Sequence, residues 1–291
     1  VTFLNDCKAN KMDTSRKLLE WIDKTTEVED TIRLQPANFM EATLNRLPEL
    51  KEGDNLPPLW HWIYFLEAKP ESDLGRDAHP KKGDFLPPIH LPRRMWAGGR
   101  FTFYNDLVIG EKAKKITTIK KIVEKEGSAG PLCFITLEHK IYSKDEISMI
   151  EEQDLVYLQD QQGSKSLPLT QNNVEKSDFS QEIHPSAILL FRYSALTFNG
   201  HRIHYDLDYA KNVEGYDGLV FHGPLTATLL LDLALKERKQ PIKKYSFRGT
   251  APLSNLDCFW IEGKSEDNAA ILWARRKDGL VAMKAKADFL F

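Results

Sequence analysis

The run Asn199-Gly200-His201-Arg202-Ile203-His204-Tyr205-Asp206, followed eighteen residues after His204 by His222-Gly223-Pro224, sets three of the chain's eight histidines beside one helix start. A neutral imidazole accepts a proton from water near pH 7. The first N–H groups of a helix have no partner inside it and can receive a developing oxyanion. Such parts suit addition or removal of water next to a carbonyl. His204 reads either as a general base or as a structural histidine at a helix entrance. His201 and His204, three apart, could share a face and hold a metal. No HExxH pattern or placed carboxylate completes that set, so no metal is expected.

These residues must be positioned by the elements around them. Residues 224–239 carry Leu225, Leu229, Leu230, Leu231, Leu233 and Ala234 around most of a helix circumference, the pattern of a buried helix. Pro224 suits its first position. A six-residue helix from Leu207 to Asn212 is expected, with Asp206 and Asp208 at its start as caps. Strands are expected over Tyr245–Arg248, Leu256–Gly263, Ala269–Lys277 and Leu280–Leu290. Four more are expected earlier, over Arg100–Tyr104, Lys114–Val123, Pro131–Tyr142 and Ser148–Leu158. Amphipathic helices are expected over 13–24, capped by Asp13 or Ser15, and over about Pro36–Leu44. The stretch from Gly53 to Gly98, rich in proline, resists regular assignment, and a loop of that length in a compact domain is usually functional or held by its neighbours. Helical material followed by four antiparallel strands thus occurs twice. The expectation is an α+β chain of two like units, 1–158 and 182–291, joined by a polar linker at 159–181.

Bulk properties exclude several classes. A formal charge of −2 and a pI near 6.5 supply no global basic field, so neither nucleic acid nor an anionic membrane is expected as a partner. No apolar run reaches the ~20 residues of a membrane span. Cys7, Cys133 and Cys258 are odd in number and lack any CxxC pattern, which points to a reducing, cytoplasmic setting. The acidic and basic residues mixed through the first thirty argue against a secretory signal or transit peptide there.

The strings Phe198-Asn199-Gly200-His201-Arg202-Ile203-His204-Tyr205-Asp206, His222-Gly223 and Arg93-Arg94-Met95-Trp96-Ala97-Gly98-Gly99-Arg100, with Pro58-Leu59-Trp60-His61-Trp62, resemble the MaoC-like dehydratases. Within that family they look like the double-hotdog branch that hydrates mesaconyl-C4-CoA or itaconyl-CoA to citramalyl-CoA, a branch related to mitochondrial 3-hydroxyacyl-thioester dehydratases. The resemblance spans roughly residues 15–291. It implies two hotdog units, each an antiparallel sheet wrapped around a helix. It also implies one active site in the C-terminal half, the N-terminal half closing over it after losing its own histidine loop. It places His204 on the catalytic histidine and Gly223 on the glycine whose N–H receives the thioester oxygen. Asn199 stands where the family has its catalytic Asp, His201 where it has Asn, and Arg202 where it has Pro. Asn199 then either orients water or substrate, or caps the turn. His201 either supplies the second proton or only packs. His222 reads as a packing residue.

The implied substrate is an acyl-CoA thioester, with no cofactor beyond the coenzyme A it carries, and either a monomer or a homodimer of double units fits. A terminal carboxylate on the acyl chain would need an arginine, and Arg93, Arg94, Arg100, Arg202 and Arg248 are candidates. Trp60, Trp62 and Trp96 are candidates for an acyl pocket or for core. Lys243 and Lys244 are candidates for the coenzyme A phosphates. The alternatives are a dehydratase of straight fatty acyl thioesters, a non-catalytic acyl-thioester binder and a hotdog thioesterase.

Overall fold

A computed structural model describes residues 17–127, 130–160 and 176–290. Its strands are β1 (Thr25–Thr31), β2 (Arg93–Phe103), β3 (Lys112–Gly127), β4 (Gly130–Ser143), β5 (Glu146–Leu158), β6 (Phe179–Ile183), β7 (Ile242–Gly249), β8 (Phe259–Glu266), β9 (Ala269–Arg276) and β10 (Val281–Phe289). Its α-helices are α1 (Leu34–Thr43), α2 (Ala187–Leu196), α3 (Leu207–Asn212) and α4 (Gly223–Arg238). All ten strands form one antiparallel sheet in the order β1-β3-β4-β5-β2-β7-β10-β9-β8-β6. The first five strands of that order come from the N-terminal half and the last five from the C-terminal half. This is the α+β double hotdog, two half-sheets fused edge to edge through β2 and β7.

The seam depends on two glycines. A Cβ at Gly98 would lie 2.4 Å from the Phe247 carbonyl oxygen, and one at Gly99 would lie 3.0 Å from the Phe247 ring. Any larger residue at Gly98 would push β7 away from β2. Around the seam Trp62, Trp96, Phe101, Phe103, Tyr245 and Phe247 pack edge-on, tilted or stacked, with ring centroids 5.0–6.4 Å apart. Aromatic pairs in this range add to simple area burial.

The C-terminal half-sheet wraps α4 as expected. Leu225, Ala227, Leu230, Leu231, Leu233 and Ala234 are all buried against β6 to β10, and Tyr245 on β7 donates its hydroxyl to the Ala227 carbonyl at 2.8 Å. The N-terminal half differs. Among its described residues no helix matches α4 in length. A 3₁₀ turn, Trp60–Ile63, lies in the core there and is pinned to β5 by the buried Glu151. That carboxylate accepts from Trp62 Nε1 at 3.1 Å and pairs with His61 Nε2 at 2.9 Å. Burial alone would raise its pKa. The hydrogen bonds and the neighbouring His61 and His139 rings outweigh that and bring it to about 2.

Two strands lie outside the sequence expectation. β1 falls in residues 25–31, for which no element is expected, and of the expected helix 13–24 only Lys17–Leu19 is helical among the described residues. β6 occupies the last residues of the expected linker, whose portion 161–175 lies outside the described residues, as do Asp13 and Ser15. Both β1 and β6 are edge strands that bury few side chains. They therefore lack the alternating apolar pattern that β4 shows over its whole length. No helix among the described residues is long and apolar enough to cross a membrane.

Candidate active site

The segment after α2 turns sharply back toward the start of α4. The Asn199 side-chain oxygen accepts the His201 backbone N–H at 3.0 Å, an Asx turn that commits this side chain to capping. Arg202–His204 forms one 3₁₀ turn, and Asp206 caps α3 by accepting from the Tyr209 N–H at 3.0 Å. Arg202 pairs with Asp206 at 2.7 Å and lies over the Tyr209 ring, so its guanidinium is engaged in holding this turn.

His204 is buried, and its Nδ1 lies 2.8 Å from the Val220 carbonyl oxygen. A carbonyl only accepts, so Nδ1 carries the proton and Nε2 presents a bare lone pair. Burial lowers the pKa of this ring to about 4, against the pull of the Val220 carbonyl. His204 is thus neutral at pH 7, the state a base requires. Its ring stacks on His222 at 3.6 Å, and His222 Nε2 lies 2.8 Å from the Ser194 hydroxyl. His222 is fully buried, and burial holds it well below the ordinary histidine value. It fills the helix entrance as a packing residue.

Gly223 opens α4 with Pro224 next, so the Gly223 N–H has no helical acceptor. A Cβ built on Gly223 would meet nothing within 4 Å, which means that the space beside this N–H is open. Gly223→Ala is therefore expected to fold with an unchanged melting temperature. Any turnover that uses this N–H as an oxyanion donor should fall about tenfold or more, because the new methyl would occupy the open space and one such donor is worth roughly 10²–10³ in rate. Steady-state kinetics beside a thermal melt checks this, and unchanged kinetics would remove Gly223 from the site.

The N-terminal half reaches this cluster directly. Its loop at 75–80 lies directly against the histidine segment, where Arg202 donates its backbone N–H to the Asp77 carbonyl at 3.2 Å. A Cβ at Gly200 would stand 3.2 Å from the Ala78 carbonyl oxygen. His79 thereby comes to 4.4 Å from His201, ring to ring, and His201 lies edge-on to His204 at 5.5 Å. Asp77 Oδ2 accepts from His79 Nδ1 at 3.0 Å and Oδ1 from the His79 backbone N–H at 3.1 Å. Burial would raise this carboxyl, but the His79 contacts outweigh it and hold Asp77 below the usual carboxylate range. Burial lowers both His79 and His201 from the ordinary histidine value. Asp77, His79 and His201 offer donor atoms within 4.8 Å of one another, the spacing a cation would need. Both Asp77 oxygens are already accepting from His79, so the group is closed on itself as a hydrogen-bonded Asp–His pair.

The arginines separate by their partners. Arg93 is buried in an ion pair with Glu214 at 2.7 Å and also reaches the Tyr216 hydroxyl. Arg100 faces solvent in a bidentate pair with Asp154 and a further contact to Glu152. Arg248 is exposed on β7, as are Lys243 and Lys244. Arg94 is half-buried, forms no hydrogen bond or ion pair among the described residues, and lies close enough to His79, His201 and Tyr157 for its charge to bear on all three. The Tyr157 hydroxyl beside it is buried without a partner. Trp60, Trp62 and Trp96 lie in the seam core with Phe101 and Phe247, and the ring contacts of the histidine row involve none of them. Sequence reasoning missed Asp77 and His79. The proline-rich setting gave no periodicity to place them, and a D-x-H triplet is too short to stand out.

Comparison with known proteins gives the family and the fold. The family model for hydroxyacyl-thioester dehydratase type 2 matches residues 59–255, a span that holds both the 75–80 loop and the histidine segment. Mesaconyl-C(4)-CoA hydratase of Chloroflexus aurantiacus is 41% identical over 276 residues, covering 94% of this chain and 99% of that protein. The mitochondrial hydroxyacyl-thioester dehydratase type 2 of Schizosaccharomyces pombe is 30% identical over 260 residues, covering 77% and 85%. Among solved structures, a MaoC-like dehydratase from Phytophthora capsici superposes with a TM-score of 0.69 at 15% identity, covering 95% of this chain and 98% of that one. A Mycobacterium tuberculosis protein described as having a double hotdog fold superposes with a TM-score of 0.54 at 11% identity, covering 92% and 96%.

Proposed function

Because the chain belongs to the type 2 hydroxyacyl-thioester dehydratase family of MaoC-like proteins, we propose that it is a hydro-lyase adding water across the double bond of an enoyl-CoA thioester. The observation that carries this reading is the neutral, buried His204 with Nδ1 tied to a carbonyl and Nε2 bare, beside the open space at the Gly223 N–H. His204 takes the proton of the attacking water as its oxygen bonds to Cβ. The electron pair displaced from the double bond moves onto the thioester oxygen, where the Gly223 N–H and the start of α4 receive it. The residues supply a base and an oxyanion donor themselves, and neither role calls for a metal or redox cofactor. We take residues 182–291 as the half bearing the base and donor and 1–158 as the partner half, joined through 159–181.

The favoured substrate is a branched C5 dicarboxylyl-CoA such as mesaconyl-C4-CoA or itaconyl-CoA, giving citramalyl-CoA. Arg94 supports this choice. It is the half-buried guanidinium beside the histidine row that forms no ion pair among the described residues, and the partnerless Tyr157 hydroxyl next to it offers a second donor to a carboxylate. Arg94→Leu is expected to lower kcat/KM for the dicarboxylyl thioester by about 10–100-fold, the worth of a charge-assisted hydrogen bond. Turnover of crotonyl-CoA, which has no terminal carboxylate, should fall far less. Equal losses on both substrates would take Arg94 out of carboxylate recognition. The deciding experiment is a panel of mesaconyl-C4- and crotonyl-CoA followed by loss of the conjugated-thioester absorbance, with itaconyl-CoA followed by formation of the hydrated thioester. Turnover of crotonyl-CoA with none of either diacid thioester would favour the straight-chain dehydratase reading instead. Binding without any absorbance change would indicate a non-catalytic module.

A further inference from the structure

Hydration of an enoyl thioester moves two protons, one off the attacking water and one onto Cα. The first has an evident acceptor in His204. The second has none in the histidine segment, because Asn199 is spent on the turn and exchanges no proton, while His201 is an uncompensated ring with no carboxylate hydrogen-bonded to it. The histidine row nevertheless ends in a carboxylate, and that carboxylate comes from the other half of the chain. Asp77 and His79 sit on a proline-flanked loop fixed to the histidine segment by the Arg202 N–H to Asp77 carbonyl bond and by the close approach of Gly200 to Ala78. Asp77 accepts the Nδ1 proton of His79, which leaves the His79 Nε2 lone pair without a partner among the described residues. The His79 side chain keeps about a fifth of its surface exposed, 22%, so a ligand can reach it. This is the carboxylate–imidazole arrangement that fixes a tautomer and compensates an imidazolium when one forms.

We propose that His79 is the second proton-transferring residue of this site, acting at Cα of the substrate, and that Asp77 is its positioning residue. The inference rests on the hydratase reading given above. As the water oxygen bonds to Cβ, one water O–H bond breaks and its proton goes to His204 Nε2. The π electron pair becomes the enolate on the thioester oxygen. The proton is passed on by way of solvent, to which the His79 side chain is partly open, to His79 Nε2, where the ionised Asp77 offsets the charge. It is finally transferred to Cα as the enolate pair forms the C–H bond. Every ring ends neutral, and no net proton is taken up. The catalytic carboxylate that the family carries at the position of Asn199 is thereby replaced, in function, by one delivered from the N-terminal half.

The test compares His79→Gln and Asp77→Asn with wild type on whichever enoyl-CoA of the panel the wild-type chain hydrates, with a thermal melt of each protein. His79→Gln is expected to lower kcat by about 100-fold, within the range of acid–base catalysis, at nearly constant KM, because the contact acts in the transition state only. Asp77→Asn is expected to lower kcat by at least about tenfold and to move the acid limb of the kcat profile to lower pH, since the imidazolium loses its carboxylate. The other charged or titratable groups facing His79, namely Arg94, Glu214 and His201, are unchanged in that variant. A His79→Gln kcat within about twofold of wild type overturns the proposal, and so does an Asp77→Asn loss with an unmoved acid limb. If His79→Gln does not fold, the near-isosteric Asp77→Asn carries the test by the same two readouts. Loss of wild-type activity to a chelator with recovery on adding zinc would overturn the proposal in favour of a bound cation. A wild-type chain inactive on every enoyl-CoA would instead overturn the hydratase reading itself.

Discussion

Replacing His204 with Ala is expected to lower the hydration rate by about 10²–10⁴ while the chain still folds. Two features set the size of the loss. The ring is held rather than merely enclosed, with Nδ1 on the Val220 carbonyl and one face stacked on His222, so its bare Nε2 has a fixed direction. No other imidazole of the segment is held in this way, since His222 is tied to Ser194 through Nε2 and its Nδ1 is buried without a partner. The structural cost is smaller. The Val220 carbonyl loses its partner, worth roughly 1–3 kcal/mol when left buried and unpaired. Steady-state kinetics and a thermal melt on the same preparation separate the two effects. A variant that melts lower but turns over near the wild-type rate would show His204 to be a structural histidine.

The fold itself should be acid-labile well above the pH at which carboxylates titrate. Burial lowers His79, His139, His201, His204 and His222 from the ordinary histidine value. In the unfolded chain each ring titrates near the free value of about 6.5. A folded-state pKa below the unfolded one means that the unfolded chain binds protons first as pH falls. Stability is therefore intact above about pH 6.5 and declines from there toward the folded pKa. For His204, with its folded value at about 4, the loss amounts to roughly 2 kcal/mol by pH 5. The other four rings act in the same direction. Denaturant unfolding at pH 7.5, 6 and 5 should show the midpoint falling steadily over this window, before Asp77 and Glu151 begin to protonate. A midpoint that stays level between pH 7.5 and 5 would mean that these rings are not buried in the neutral form.

The C-terminal half was largely legible in the sequence. Its helix α4 follows from Pro224 and an apolar surface nearly all round, and β7 to β10 lie within a few residues of their expected spans because buried strands alternate strongly. The six-residue helix α3 begins at its capping Asp206 as expected. The N-terminal half was legible in α1, expected over about Pro36–Leu44, and in the long strands β3 to β5, whereas β2 was expected only from Arg100 and begins at Arg93. The expected central helix there is replaced by the short turn Trp60–Ile63, held by the buried Glu151 rather than by any periodic pattern. A single turn fixed through side-chain hydrogen bonds leaves no repeat to detect. The edge strands β1 and β6 escaped for a related reason, since a strand paired on one side and mostly solvated needs no apolar face.

One side of the site follows from the order of residues along the chain. Histidines at 201, 204 and 222 and a glycine opening a helix are local facts, fixed by spacing along one stretch of chain, and the structure keeps them within one cluster. What faces them is set by contacts between distant segments. Arg93 and Arg94 are neighbours in sequence, yet strand geometry turns alternate side chains to opposite faces. One is consumed by Glu214 and the other is left beside the histidine row. Asp77 and His79 lie more than a hundred residues before His201, in a loop without periodicity. They reach it because β2 and β7 fuse the two half-sheets across Gly98 and Gly99 and bring that loop onto the C-terminal half. A contact between segments so distant in the chain is set by backbone pairing and close approach, which no local pattern of residues encodes.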